Sequence, residues 1–319
     1  MSSQHTQPAH DRPGAVATPC PLTGRVGVWT PARELRPRRR PIRQELITGL
    51  DRCPFCDTAV DDGRLVPGHV DLGAGRWFAM RNIYPPLDAR TGSATLVVGP
   101  DHGPTLTHLH PGLAGAWTSV LALQQQLAAR EPSRWSLLTA AVGTSAGASQ
   151  QHPHGQVLTP SFVPPVTAQV QRRLTDPEVL SVLWDDQLRV ADAEGLRLLA
   201  PPVPLGPDDL LLLPVDAQAV DAFEPGALAR GIVGWLRAVQ ELRARAGRPR
   251  PTEVGEVGFE GPAPLDVKVL IHDRLPDGTG RWWAELQVTE AHAPGVAAAP
   301  LVDVVHPPSA HAARFRGRC

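Results

Sequence analysis

Cys53-Pro54-Phe55-Cys56 and His152-Pro153-His154-Gly155-Gln156 are the two segments whose residue types and spacing can do chemistry. Two thiolates separated by two residues can hold one ion from a tight turn, and zinc takes four such ligands. Two further ligands are therefore needed. His102, after Gly99-Pro100-Asp101, and His152, at the head of the second segment, are candidates; His108, His110 and His272 compete on chemistry alone. A site filled by four protein ligands leaves the ion no open position and serves the fold. A redox pair or two inert cysteines are the alternatives, but this pair is not poised to open a helix after a clear strand.

In an extended chain, side chains two positions apart share a face, so His152, His154 and Gln156 point the same way. One imidazole can serve a metal while the other meets a substrate. Gly155 is expected to let a substrate approach the backbone closely. The neutral amide of Gln156 can donate to a phosphoryl oxygen. The loop before the motif, residues 143–149 (Gly-Thr-Ser-Ala-Gly-Ala-Ser), offers N–H groups and hydroxyls to phosphate, although no Gly-Lys-Ser/Thr makes it a Walker motif. A neutral imidazole attacking an α-phosphate would give a covalent nucleotidyl-histidine. Two ordinary strand histidines are the plain alternative.

The elements that must position these groups are legible as patterns. Residues 94–98, 136–142 and 154–159 read as strands, and Trp117, Val120, Leu121, Leu127 and Ala128 form a helical stripe interrupted by Gln124. A second cycle follows. Residues 196–200 and 209–213 are strand-like, and Pro225 opens a helix carrying Leu228, Ile232, Trp235, Leu236, Val239 and Leu242. Residues 266–272 and 282–289 are two more strands. Residues 247–264 and 291–311 read as loops. The repeated order implies an α+β fold with internal duplication. Residues 1–44 are expected to form a flexible N-terminal segment with an Arg-rich arm (33–43), either solvated or anion-binding. Residues 45–165 would be the half with the metal site and motif, and 166–319 the second half.

The 319 residues are 42 % hydrophobic with a net charge of −1, so no nucleic-acid surface or polybasic membrane patch is expected. No run of about 18 apolar residues suggests a membrane span, and residues 1–24 lack the apolar centre of a signal peptide. A reducing cytoplasm is the default, which favours metal over disulfide for the cysteines. Lys268 is the only lysine, a sign of composition bias. The only Asn and only Tyr, Asn82 and Tyr84, fall together in Arg81-Asn82-Ile83-Tyr84-Pro85, which invites a functional reading.

At these residues the chain resembles the galactose-1-phosphate uridylyltransferase family of the histidine-triad superfamily. The His-Pro-His-Gly-Gln run, the Cys53/Cys56 pair, His102 after Gly-Pro-Asp, residues 31–37 and Trp77 to Pro85 carry the likeness, which runs from 29 to 160 and thins afterwards. The resemblance implies a duplicated histidine-triad-like fold, two antiparallel-sheet halves with packed helices, as a homodimer. It implies one structural zinc on Cys53, Cys56, His102 and His152, with His154 as nucleophile. Gln156 and Ser149 would hold phosphate, and Arg33, Arg36 and Asn82 would lie near the nucleotide. Two departures stand out. Ala140-Ala141-Val142-Gly143 replaces a Glu-Asn-Lys-Gly segment, so polar substrate contacts are missing. The strand at Trp283-Ala284-Glu285-Leu286-Gln287 lacks a His-x-His pair, so no second metal is expected.

The implied activity is transfer of an NMP group from a nucleotide sugar to a phosphorylated sugar acceptor. A nucleotide-sugar or dinucleotide phosphorylase or hydrolase, and a non-catalytic zinc-stabilised nucleotide-binding protein, are the alternatives.

Overall fold

The computed structural model describes residues 16–23, 26–29, 53, 55, 65–71, 76–82, 86–87, 91–100, 102, 106–132, 134–143, 146–148, 150, 152–204, 206, 208–215, 223–245, 265–289, 301–304 and 308–319. Its elements are β1 (Val16–Pro19), β2 (Val26–Trp29), β3 (Leu65–Asp71), β4 (Arg76–Arg81), β5 (Gly92–Val98), α1 (Leu113–Ala129), β6 (Leu137–Val142) and β7 (His154–Pro160). There follow α2 (Pro165–Arg173), α3 (Pro177–Leu183), β8 (Arg189–Ala193), β9 (Leu196–Leu199), β10 (Leu210–Pro214), α4 (Pro225–Arg245), β11 (Val267–His272), β12 (Trp283–Val288), β13 (Leu301–Val304) and α5 (Pro308–Phe315).

Among the described residues, ten strands form one antiparallel sheet in the order β3-β4-β5-β7-β6-β11-β12-β10-β9-β8. Read from either edge inwards, the chain runs through three strands in sequence, then the last strand of its half, then the second-last. This repeated order is the duplication, and the halves join where β6 pairs antiparallel with β11, Leu137 opposite His272 through Val142 opposite Val267. The α+β expectation holds, with the two antiparallel halves fused into a continuous sheet.

Period-two patterning sorts the two faces. In β6, Leu138, Ala140 and Val142 are buried while Leu137, Thr139 and Ala141 are half-buried. β7 alternates likewise, with Gly155 and Val157 inside and His154 and Gln156 partly exposed. The buried set joins α1 and α4 in the main core, around Trp117, Leu121, Trp235 and Leu236. Both tryptophans also satisfy their indole N–H groups, Trp117 on the Leu106 carbonyl and Trp235 on that of Asp208, each at 3.0 Å. Gln124, the polar interruption of the α1 stripe, is buried on it and donates to the Ile271 carbonyl at 3.3 Å. The opposite face of β9, β10 and β12 is covered by α2 and α3 through Val170, Leu174, Val179 and Leu183. The opposite face of β6, β7 and β11 stays partly open, and it carries the motif.

Several elements differ from the sequence-based expectation. Residues 291–311, read as loop, contain β13 and the start of α5. β1 and β2 lie inside the segment expected to be flexible and form a three-stranded sheet with β13. Among the described residues, no helix is long and apolar enough to cross a membrane.

Candidate active site and metal centre

β5 and β7 build the site by pairing to their ends. Val98 faces His154, Val97 faces Gly155 and Leu96 faces Gln156. The pairing continues past the strands, where the Gly99 N–H donates to the Pro153 carbonyl at 2.8 Å. Proline cannot donate, so Pro153 suits a strand start that only accepts. His152 then lies against the end of β5.

Among the described residues, three side chains able to ligate a metal converge there. One ligand atom each from Cys53, His102 and His152 lie within 4.8 Å of one another. The Cys53 Sγ is 3.7 Å from His152 Nδ1, and the rings of His102 and His152 meet edge to face at 4.8 Å. His152 turns its second nitrogen away, Nε2 lying 3.0 Å from the Gly99 carbonyl oxygen. A backbone carbonyl that takes the outer N–H fixes the tautomer and aims the inner lone pair, the usual support of a metal-bound histidine. The Phe55 N–H donates to Cys53 Sγ at 3.4 Å. Phe55, Met80 and Val98 pack around Cys53. The donor set suits one zinc ion. Cys56 lies outside the described residues.

His154 starts β7 just beside this cluster. Its Nδ1 is 2.8 Å from the His152 carbonyl oxygen, so Nδ1 carries the proton and Nε2 the lone pair. Phe55 lies between the two imidazoles, 5.6 Å from the His152 ring and 5.2 Å from that of His154. Burial pushes the His154 pKa below the ordinary 6.5, opposed in part by the hydrogen bond to the His152 carbonyl. Gln156 follows on the same face, between Leu96 and Thr139.

The expected role of Gly155 is corrected. Strand alternation turns its missing side chain to the helix face, where a Cβ would meet Leu138 Cδ1 at 3.3 Å and Ala140 Cβ at 3.7 Å. The glycine serves packing behind the site. In the loop at residues 143–149, Gly143 has φ +83° and its carbonyl accepts from the N–H groups of Ala146 and Ala148. Ser149, Arg33 and Arg36 lie outside the described residues. Asn82 follows β4 on the motif's face, but four residues along from Phe78, which faces Val98 in the row of His154. That is about 13 Å along the strand. The structure therefore gathers Cys53, His102, His152, His154 and Gln156, and sets Asn82 apart. Sequence reading missed two supports, the Gly99 carbonyl and the Phe55 ring. Their only signals were their places inside the two quoted segments.

Fold and site together define a duplicated α+β protein with a largely buried Cys/His cluster behind a partly buried histidine. Solved structures share this fold over nearly the whole chain. An ADP-glucose phosphorylase from Arabidopsis thaliana, solved with bound ADP-glucose, is 18 % identical with a TM-score of 0.70, covering 96 % of this chain and 99 % of that one. A galT-like protein from Arabidopsis thaliana is 16 % identical with a TM-score of 0.67, covering 96 % and 100 %. A uridylyltransferase is 17 % identical with a TM-score of 0.62, covering 96 % and 98 %. The chain thus shares the fold of these structures. No known family profile and no curated protein matches the sequence.

Proposed function

We propose that the protein is a nucleotidyltransferase that takes an NMP group from a nucleoside diphosphate sugar onto His154. The observation that carries this reading is the 2.8 Å contact of His154 Nδ1 with the His152 carbonyl. It holds the proton on Nδ1 and leaves the Nε2 lone pair on the open face. In the first step that lone pair attacks the α-phosphorus, and the sugar 1-phosphate departs with the electron pair of the broken P–O bond. The ring keeps its Nδ1 proton throughout, so no base is required. Gln156 donates its amide to a phosphoryl oxygen, and Ser149 assists it. Arg33, Arg36 and Asn82 are assigned to nucleotide binding in this reading.

Cys53, Cys56, His102 and His152 hold a zinc ion in this proposal. The ion supplies a cross-link that fixes His152, and with it the carbonyl that orients His154. Residues 45–165 and 166–319 are the two halves of the duplication, and the protein works as a cytoplasmic homodimer.

The acceptor is a sugar 1-phosphate or inorganic phosphate. The second is favoured by the likeness, over nearly full length, to a structure named as an ADP-glucose phosphorylase. Incubation with UDP-glucose and ADP-glucose labelled at the α-phosphate tests the reading. Label on the wild type and none on His154→Ala supports it. Equal labelling of both proteins removes it.

A further inference from the structure

The open face of the sheet continues past His154 into the second half. Gln156 faces Thr139 in the printed register of β7 with β6. Carried two residues on, this register sets His154 opposite Ala141, in keeping with the 3.7 Å approach of a Gly155 Cβ to Ala140. Ala141 in turn faces Lys268, and Lys268 faces Gln287. One row across the sheet therefore reads His154, Ala141, Lys268, Gln287. All but Gln287 are half-buried rather than buried, so the row reaches solvent.

Two strand spacings separate His154 from Lys268, about 10 Å between backbones. The residue between them is an alanine, which leaves a trough between an imidazole and an ammonium on a flexible four-carbon stem. Lys268 is the only lysine among 31 basic residues. Among the described residues its side chain makes no hydrogen bond or ion pair. The nearby acid on this face, Glu285, is engaged elsewhere. Its Oε2 accepts from Gln287 at 2.9 Å, and its Oε1 is 3.0 Å from His272 Nε2 and 3.5 Å from the Trp283 indole N–H. A half-buried cation without a counter-ion, facing a small-residue floor, is placed to take an anion.

We infer that Lys268 binds the phosphate of the acceptor over Ala141, and that the acceptor is a phosphate dianion rather than water. This rests on the nucleotidyl-histidine reading. In the second step a phosphate oxygen bound by Lys268 attacks the α-phosphorus on His154. A P–O bond forms, the P–Nε2 bond breaks, and its electron pair returns to Nε2. Orthophosphate yields a nucleoside diphosphate, and a sugar 1-phosphate yields a nucleotide sugar. The ammonium is a compact point charge that neutralises the incoming dianion where two anions must approach.

The test separates the two half-reactions in single turnovers. Wild type, Lys268→Met and Lys268→Arg are labelled from the nucleotide sugar, freed of donor, and mixed with orthophosphate, glucose 1-phosphate or buffer. Lys268→Met is expected to discharge to phosphate roughly 10- to 100-fold more slowly, and to take label more slowly too, because the departing sugar 1-phosphate leaves through the same subsite. Its discharge to water should be unchanged, and Lys268→Arg should recover part of the loss. The two phosphate arms tell a phosphorylase from a transferase. Wild-type discharge to phosphate by Lys268→Met, or an equal loss in its discharge to water, overturns the assignment. If the wild type takes no label, the proposed function falls, and calorimetric titration with orthophosphate still decides on Lys268. At least tenfold weaker binding by Lys268→Met supports it. Equal binding, or none by the wild type, overturns it.

Discussion

The His154 imidazole donates from Nδ1 to the backbone carbonyl of His152, 2.8 Å away. His152 is itself pinned between Cys53 Sγ at 3.7 Å and the Gly99 carbonyl at 3.0 Å. The His154 ring is thereby oriented by the backbone of the Cys/His cluster.

Nucleophilic attack requires neutral His154, and burial lowers its pKa from 6.5. The group therefore stays neutral to a lower pH than a free histidine. The labelling rate should be flat near neutrality and fall on the acid side with a midpoint below 6.5. A midpoint above 6.5 in rapid-quench rates would contradict the tautomer and burial described.

Loss of the metal should act through the fold. Cys53→Ser and His102→Ala are expected to purify without zinc and to melt well below the wild type, because ligand binding is folding free energy at such sites. Chelation of the wild type should abolish labelling and lower the melting temperature together. Elemental analysis with thermal denaturation checks this. A zinc-free protein of unchanged melting temperature but no activity would assign the ion a direct chemical part.

The strand of the motif, the α1 and α4 helices and the repeated order were legible in the sequence because β7 and both helices follow clean periods. The Cys/His cluster was legible because ligand spacing is local at Cys53 and recurs at His152. The function of Gly155 was misread because its face depends on a partner strand, and only the register against Ala140 shows it turned inward. α2 and α3 were missed, since seven- and nine-residue helices give little periodicity. Lys268 was taken as a by-product of composition. Its place in the row of His154 appears only once β6 and β11 are paired.

Gly143 and Gly147 offer a controlled pair. Both have positive φ, +83° and +89°, but a Cβ at 143 would fall 1.8 Å from Asp266 Oδ1 whereas one at 147 meets nothing within 4 Å. Gly147→Ala should cost about 1 kcal/mol, the left-handed strain alone. Gly143→Ala should cost about 3 kcal/mol or more, because Asp266 must also move. Equal losses in urea denaturation would contradict the contact with Asp266.

His311 links stability to pH. It is fully buried on α5 and donates from Nε2 to the Asp209 carbonyl at 2.7 Å. Burial depresses its pKa to about 4, against the opposing hydrogen bond with Asp209. The unfolded chain takes up this proton below 6.5 and the folded chain does not until about 4, so acid favours unfolding across that window. About 3 kcal/mol should be lost between these limits, with no further loss below them and none above 6.5. His311→Gln should flatten the wild-type slope in that range. An identical slope in the two proteins would show that other groups set it.

The most direct test of a histidine nucleophile is the site of attachment itself. After brief exposure to nucleotide sugar and acid-free quenching, peptide mass spectrometry should find an NMP group on His154, with an acid-labile, base-stable linkage. An NMP group on another residue, or turnover without any adduct, would contradict the account.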